Sequence, residues 1–188
     1  AFAAASLGQV HKAVTPDDEK LAVKIQYPDI STTIPGDIRL LKGVMRPMPE
    51  YEIIKIALDE IESVLLDETD YEKEAQNIRF FKDNLNHDQV QVPAVFSEFS
   101  SRRVLAMTCM EGRTLNQWLD TGPDQKAKNT VAQTLHDIFV KGFYELKTIH
   151  ADPNPGNFLI TDDLKIGLLD FGCVKRFDGR FIRIYQDL

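Results

Sequence analysis

The sequence predicts an α+β fold in two lobes, on three observations. LAVKIQ at 21–26 alternates as a strand. Two long segments, 51–66 and 123–147, carry apolar residues at helical spacing. A polar loop, HADPNPGN at 150–157, leads into two short strand-like runs around a turn. Residues 1–107 are expected to form an antiparallel sheet with a helical insertion, 108–113 a hinge, and 114–188 part of a helical second lobe.

The loop at 150–157 is the centre of the functional reading. Asp152 follows His150 by two residues, and Asn157 follows Asp152 by five. Thirteen residues on, Asp170 opens Asp170-Phe171-Gly172. Pro153 and Pro155 forbid helix and Gly156 permits a tight turn, so the polar groups sit on a rigid loop. Phosphoryl transfer from ATP needs a carboxylate for the acceptor proton. It also needs an amide and a carboxylate for the metal that bridges the phosphates. Asp152 fits the first role, and Asn157 and Asp170 the second. Singly, each motif also fits an ordinary loop; in this order they point to an ATP- and magnesium-using site.

Taken in order, FAAASLGQV at 2–10 reads as a small-residue loop, with a strand leaving it at 10–14. Ala3, Ala4, Ala5 and Ser6 would let backbone N–H groups approach a phosphate, or would form a close-packed turn. Lys24, in the strand at 21–26, faces opposite to Val23 and Ile25. It is either a phosphate-holding lysine or a strand lysine turned to solvent. Residues 29–45 read as helical, interrupted at Pro35-Gly36. Residues 47–50 are a break, and 51–66 an amphipathic helix. Residues 67–85 hold a further helix with Glu74, Ala75, Ile78 and Phe81 on one face. Glu68, Asp70 and Glu74 form a solvated acidic face or supply a partner to a buried Lys24. Glu74, deeper in the helix, is the expected partner.

Residues 92–99 and 102–107 are expected to be strands paired across Ser100-Ser101. MTCMEG at 107–112 would link the lobes, with adenine meeting the backbone of Met107, Thr108, Cys109 and Met110. A short helix starts at 114–119. The helix at 123–147 would bury Val131, Leu135, Ile138, Phe139, Gly142 and Leu146. A hairpin of 158–160 with 165–169 would bring Asn157 and Asp170 together.

Composition narrows the class. The chain has 188 residues, 43% of them hydrophobic, and a net charge of −7. That acidity argues against general nucleic-acid binding. No run approaches the roughly 18 apolar residues of a membrane span. The N-terminus lacks the basic lead of a signal peptide and is expected to be a cut inside a domain. Cys109 and Cys173 are far apart and are expected to be reduced. A cytoplasmic or organelle-matrix setting fits.

These motifs resemble the UbiB/AarF family of atypical kinase-like proteins. The matching stretches are AAASLGQVHKA (3–13), AVKIQYPDI (22–30), ETDYEKEAQN (68–77), HADPNPGN (150–157) and LLDFGCV (168–174). The resemblance implies a bilobal protein-kinase-like fold that binds ATP or ADP with magnesium. It implies a link to isoprenoid-quinone biosynthesis or lipid homeostasis. Expected partners are a small-molecule or lipid substrate and quinone-biosynthesis proteins, with peripheral membrane association. By this match Ala3–Ala5 and Ser6 form an alanine-rich nucleotide loop, Lys24 holds phosphates with Glu74 behind it, and Glu68 and Asp70 form a regulatory Glu-x-Asp pair. Asp152 is the catalytic-loop acid, and Asn157 and Asp170 are the metal ligands. The family usually has His where this chain has Asn154. Its Lys-x-Gly-Gln segment and the strand before the alanine loop are missing here, and the chain is expected to be truncated at both ends.

The expected activity is magnesium-dependent ATP hydrolysis or phosphoryl transfer. A nucleotide-binding pseudokinase that scaffolds quinone-synthesis proteins is the second reading. An antibiotic- or choline-kinase reading rests on the HxDxxxxN pattern alone.

Overall fold

The computed structural model describes residues 3–5, as backbone, and 7–186. Strands β1 (Ala3–Ala5), β2 (Gly8–Val14) and β3 (Lys20–Gln26) run antiparallel. After the short β4 (Val90–Gln91), β5 (Val104–Thr108) joins β3 and completes a sheet of order β1-β2-β3-β5. Its register sets Ala22 opposite Met107 and Lys24 opposite Leu105. The expected alanine loop is therefore corrected. Ala3–Ala5 are the edge strand of a hairpin, because their backbone finds a ladder partner in 8–10. Ser6 lies outside the described residues.

Two helices separate β3 from the next active element. Helix α1 (Ile30–Met45) and α2 (Tyr51–Glu68) pack together through Ile34, Ile38 and Leu58. The expected interruption at Pro35 does not occur, and the helix runs through it. Burial of Ile34 and Ile38 on one face offsets the backbone bond that the proline lacks.

The single acidic helix expected at 67–85 is two elements. Glu68 ends α2, and Asp70 is the N-cap of α3 (Tyr71–Asn84), accepting the Lys73 N–H at 3.0 Å. Asp and Glu close to a helix start favour the positive end of its dipole. Tyr71, Glu74, Ala75, Ile78 and Phe81 are buried at three- and four-residue spacing. That face packs on Leu105 of β5 and on the second lobe.

The strand expected at 92–99 is also corrected. Pro93 is fully buried and has no N–H to give a ladder. The segment meets β5 through Phe96 N–H to Ala106 O and Thr108 N–H to Ala94 O, both 2.9 Å, and through Ala94 N–H to Thr108 Oγ1 at 3.1 Å, before a 3₁₀ turn at Ser97–Phe99.

In the second lobe, β6 (Arg113–Thr114) enters α4 (Leu115–Asp120) through a capping box of Thr114 and Gln117. Helix α5 (Gln125–Val140) starts on an Asp124 cap and continues as a π turn over Lys141–Glu145. The inward stripe of α5 runs through Val131, Thr134 and Ile138, and Phe139 lies beside it. Phe139, expected in the core, is 52% exposed, and Phe143 is buried instead.

Strand β7 (Thr148–His150) precedes the polar loop, and β8 (Phe158–Ile160) and β9 (Ile166–Leu168) form the expected hairpin. They belong to a sheet of order β4-β9-β8-β6. Strand β10 (Val174–Arg176) pairs with β7, and α6 (Gly179–Gln186) follows. Among the described residues, no helix is long and apolar enough to cross a membrane.

Candidate active site

Strand alternation turns Lys24 inward, away from Ile25, which is 40% exposed. The Lys24 ammonium donates to both Glu74 carboxylate oxygens, at 3.0 and 2.9 Å, and to Asp170 Oδ1 at 3.3 Å. It also lies 5.2 Å from the centre of the Tyr71 ring. Burial pulls the Lys24 ammonium down, but Glu74 and Asp170 together outweigh it and hold the group above the usual lysine value. Burial pushes the Glu74 carboxyl up; Lys24 opposes this and Asp170 adds to it. The backbone N–H of Phe171 favours the charged form of Glu74.

The polar loop folds on its own side chains. Asn154 Oδ1 accepts the Gly156 N–H at 2.9 Å and caps the 3₁₀ turn Pro155–Asn157. The loop thus forms with asparagine at this position. Asp152 accepts the Asn154 N–H at 3.1 Å and the Asn157 amide at 2.6 Å. Leu169 N–H donates to Asn157 O at 2.8 Å, and His150 Nε2 meets Leu169 O at 2.8 Å. These bonds fasten the loop to the segment that carries Asp170. Asp170 itself has φ 52°, in the left-handed region that non-glycine residues seldom adopt.

A cavity of about 280 Å³ opens between the lobes. Val10, Ala22, Met107, Leu159 and Leu169 give it apolar walls. Lys24, Glu74, Asn157 and Asp170 gather among its polar lining, and Thr108, Cys109 and Met110 lie along the link. Among the described residues that line it, Lys24 is the only cation. Glu74, Asp170 and the neighbouring Asp152 leave the region net anionic, which suits a bound cation. No three His, Cys, Asp or Glu side chains among the described residues form a metal cage. One amide and one carboxylate match a magnesium ion that keeps waters and phosphate oxygens as its other ligands.

The fold thus brings together Lys24, Glu74, Met107, Thr108, Cys109, Met110, Asn157 and Asp170 on one cavity. The side chains of Ala3–Ala5 are outside the description. Glu68 closes α2 and Asp70 opens α3, two residues apart. Asp70 is committed to the cap, whereas a Cβ on Gly172 would lie 3.7 Å from Glu68 Cγ.

Two residues escaped the sequence reading. Tyr71 lies beneath Lys24, and its hydroxyl has no hydrogen-bond partner among the described residues. Burial pushes that phenol up to about 12. Asn77 is 1% exposed and binds the Phe171 carbonyl. The signal for both was their spacing: 71, 74 and 77 share one helix face.

The model of the ABC1 atypical kinase-like domain matches residues 1–188. The chain is 35% identical over 192 residues to atypical kinase COQ8B, mitochondrial, of Danio rerio, covering 100% of this chain and 30% of that protein. It is 32% identical over 192 residues to atypical kinase COQ8, mitochondrial, of Saccharomyces cerevisiae, covering 100% and 38%. A Mycobacterium tuberculosis protein solved in complex with erythromycin aligns with a TM-score of 0.75 at 30% identity, over 93% of this chain and 45% of that one. The chain therefore spans about a third of the length of these two curated relatives. Its mixed fold, antiparallel sheet and full-length family match give one conclusion: the chain belongs to the family of ABC1 atypical kinase-like domains.

Proposed function

We propose that this chain binds ATP with magnesium in the inter-lobe cavity and acts as an ATPase or phosphotransferase. The observation that carries the reading is the convergence of Lys24, Asn157 and Asp170 on one cavity wall, with Asp152 bonded to Asn157. Bound magnesium supplies charge neutralisation of the phosphates. Asn157 and Asp170 hold it. Lys24, oriented by Glu74, holds phosphate oxygens. Asp152 accepts the proton of an attacking hydroxyl or water, and its bond to Asn157 aims it. Met107, Thr108, Cys109 and Met110 accommodate the base.

The resemblance to the UbiB/AarF family supports a place in isoprenoid-quinone (ubiquinone) biosynthesis, and the names of the relatives, atypical kinases of mitochondria, support an organelle setting. A lipid or other small-molecule acceptor, quinone-biosynthesis proteins as partners, and peripheral membrane contact belong to the same reading. A thermal melt with ATP, ADP and GTP, with and without magnesium, tests it. Saturating ligand at a hundredfold excess over Kd stabilises by about 2.7 kcal/mol. A magnesium-dependent adenine-nucleotide shift, lost in Lys24→Ala and Asp170→Ala, is the expected result. Absence of any shift in the folded protein, or unchanged nucleotide turnover in Asp170→Asn, overturns the assignment.

A further inference from the structure

Helix α3 holds the carbonyl of Phe171, the residue after Asp170. The Phe171 N–H favours the charged Glu74 carboxylate, and the Phe171 carbonyl accepts from Asn77 Nδ2 at 2.9 Å. Glu74 and Asn77 are three residues apart on one face, so a single turn of helix carries both.

The other end of the Asn77 amide is also committed. Its Oδ1 accepts from Arg176 Nη2 at 3.0 Å. Arginine can only donate, so the amide orientation is dictated: oxygen to Arg176, nitrogen to Phe171. Arg176 lies on β10 and sits 5.8 Å from the centre of the Phe80 ring. One buried amide therefore spans three elements on a face otherwise lined by Ala75, Ile78 and Phe81.

A left-handed Asp170 persists only where its surroundings over-determine it. Locally it has a bond from the Gly172 N–H to its own Oδ1, at 3.2 Å. The Asn77–Phe171 bond supplies a hold from outside the turn. We propose that Asn77, braced by Arg176, is a positioning residue that aims the Asp170 carboxylate for magnesium. This rests on the reading of Asp170 as a metal ligand. Asn77 is not among the described residues that line the cavity.

The test is a magnesium titration of ATP binding by calorimetry on the protein and on Asn77→Leu, Asn77→Asp and Arg176→Met. Leaving a buried carbonyl without its donor raises the half-saturating magnesium concentration about tenfold in Asn77→Leu. Asn77→Asp keeps the Arg176 contact but cannot donate, and shows a rise of the same order. ATP affinity measured in EDTA changes by less than about twofold in both. Arg176→Met, at an exposed position, moves the midpoint the same way by about threefold, and adds nothing to Asn77→Leu because the two act through one amide. If Asn77→Leu does not fold, Arg176→Met and Asn77→Asp decide. An unchanged magnesium midpoint in folded variants overturns the inference alone. So does an equal loss of metal-free affinity, which marks general packing. A wild-type protein without magnesium-dependent binding overturns the Asp170 reading and the inference with it.

Discussion

The Lys24 ammonium lies 2.9 Å from the Glu74 carboxylate, with side-chain exposures of 8% and 1%. A pair this dry is costly to break from one side, and the two sides are unequal. Lys24→Met strands Glu74 without its cation and costs about 3–5 kcal/mol. Glu74→Gln leaves Lys24 with Asp170 at 3.3 Å and costs less. Lys24→Met combined with Glu74→Leu costs less than the two single losses summed. Because the folded Lys24 is held above its ordinary value of 10.5, its contribution is full below that pH. It is lost as pH rises through the higher folded value. Urea denaturation of wild type and Lys24→Met checks this: their difference stays constant from about pH 7 to 10 and shrinks above.

The Tyr71 hydroxyl and the missing side chain of Gly8 share one space. A Cβ on Gly8 would stand 2.8 Å from Tyr71 Oη and closer still to the Ile25 carbonyl oxygen. Gly8→Ala therefore destabilises by about 1–3 kcal/mol, and adding Tyr71→Phe recovers only part, since the Ile25 backbone cannot yield. Tyr71→Phe alone is neutral or stabilising by up to about 1 kcal/mol, because it removes a buried hydroxyl that lacks a partner among the described residues. The phenol sits at about 12 in the fold against an ordinary 10.0. Its contribution is full below pH 10 and is lost as pH climbs through about 12. Tyr71→Phe flattens that limb, and stability measured across the alkaline range reads it out.

Asp70 caps α3 through its oxygen, not through its charge alone. Asp70→Ala should cost about 1 kcal/mol of stability, and Asp70→Asn should restore most of it, since asparagine caps equally well. A chemical melt of the three proteins decides. Failure of asparagine to rescue, with alanine and asparagine equally damaging, would show that the carboxylate acts by charge.

Local pattern and tertiary context divide the rest. Alternation at 20–26 was enough to set Lys24 opposite in facing to Val23 and Ile25, because a strand's faces are set by a period of two, and its packing on Glu74 and Asp170 made that face the inward one. Helical spacing was enough to put Glu74, Ile78 and Phe81 on one face of α3. Proline and glycine marked the 150–157 loop without any contact being known. Elsewhere, one-dimensional pattern misled. Residues 92–99 read as a strand, but buried Pro93 and the bonds that β5 offers shorten the pairing to a bridge. Phe139 read as core, but it lies beside the buried stripe of Val131, Thr134 and Ile138, and Phe143, in the π turn that follows, is inside.

By itself, then, the sequence determined the α+β class, the facing of Lys24 opposite to Val23 and Ile25, the place of the polar loop and the acidic helix. These follow from periodicity and from residue types whose conformational limits are local. Only the tertiary structure decided that Pro35 is carried inside a helix, and that Asn77 ties α3 to Phe171 and Arg176. The Asn77 link depends on partners far along the chain, Phe171 94 residues away and Arg176 99. A buried polar group is acceptable only where such partners exist, and their positions are set by packing, not by the residues beside it.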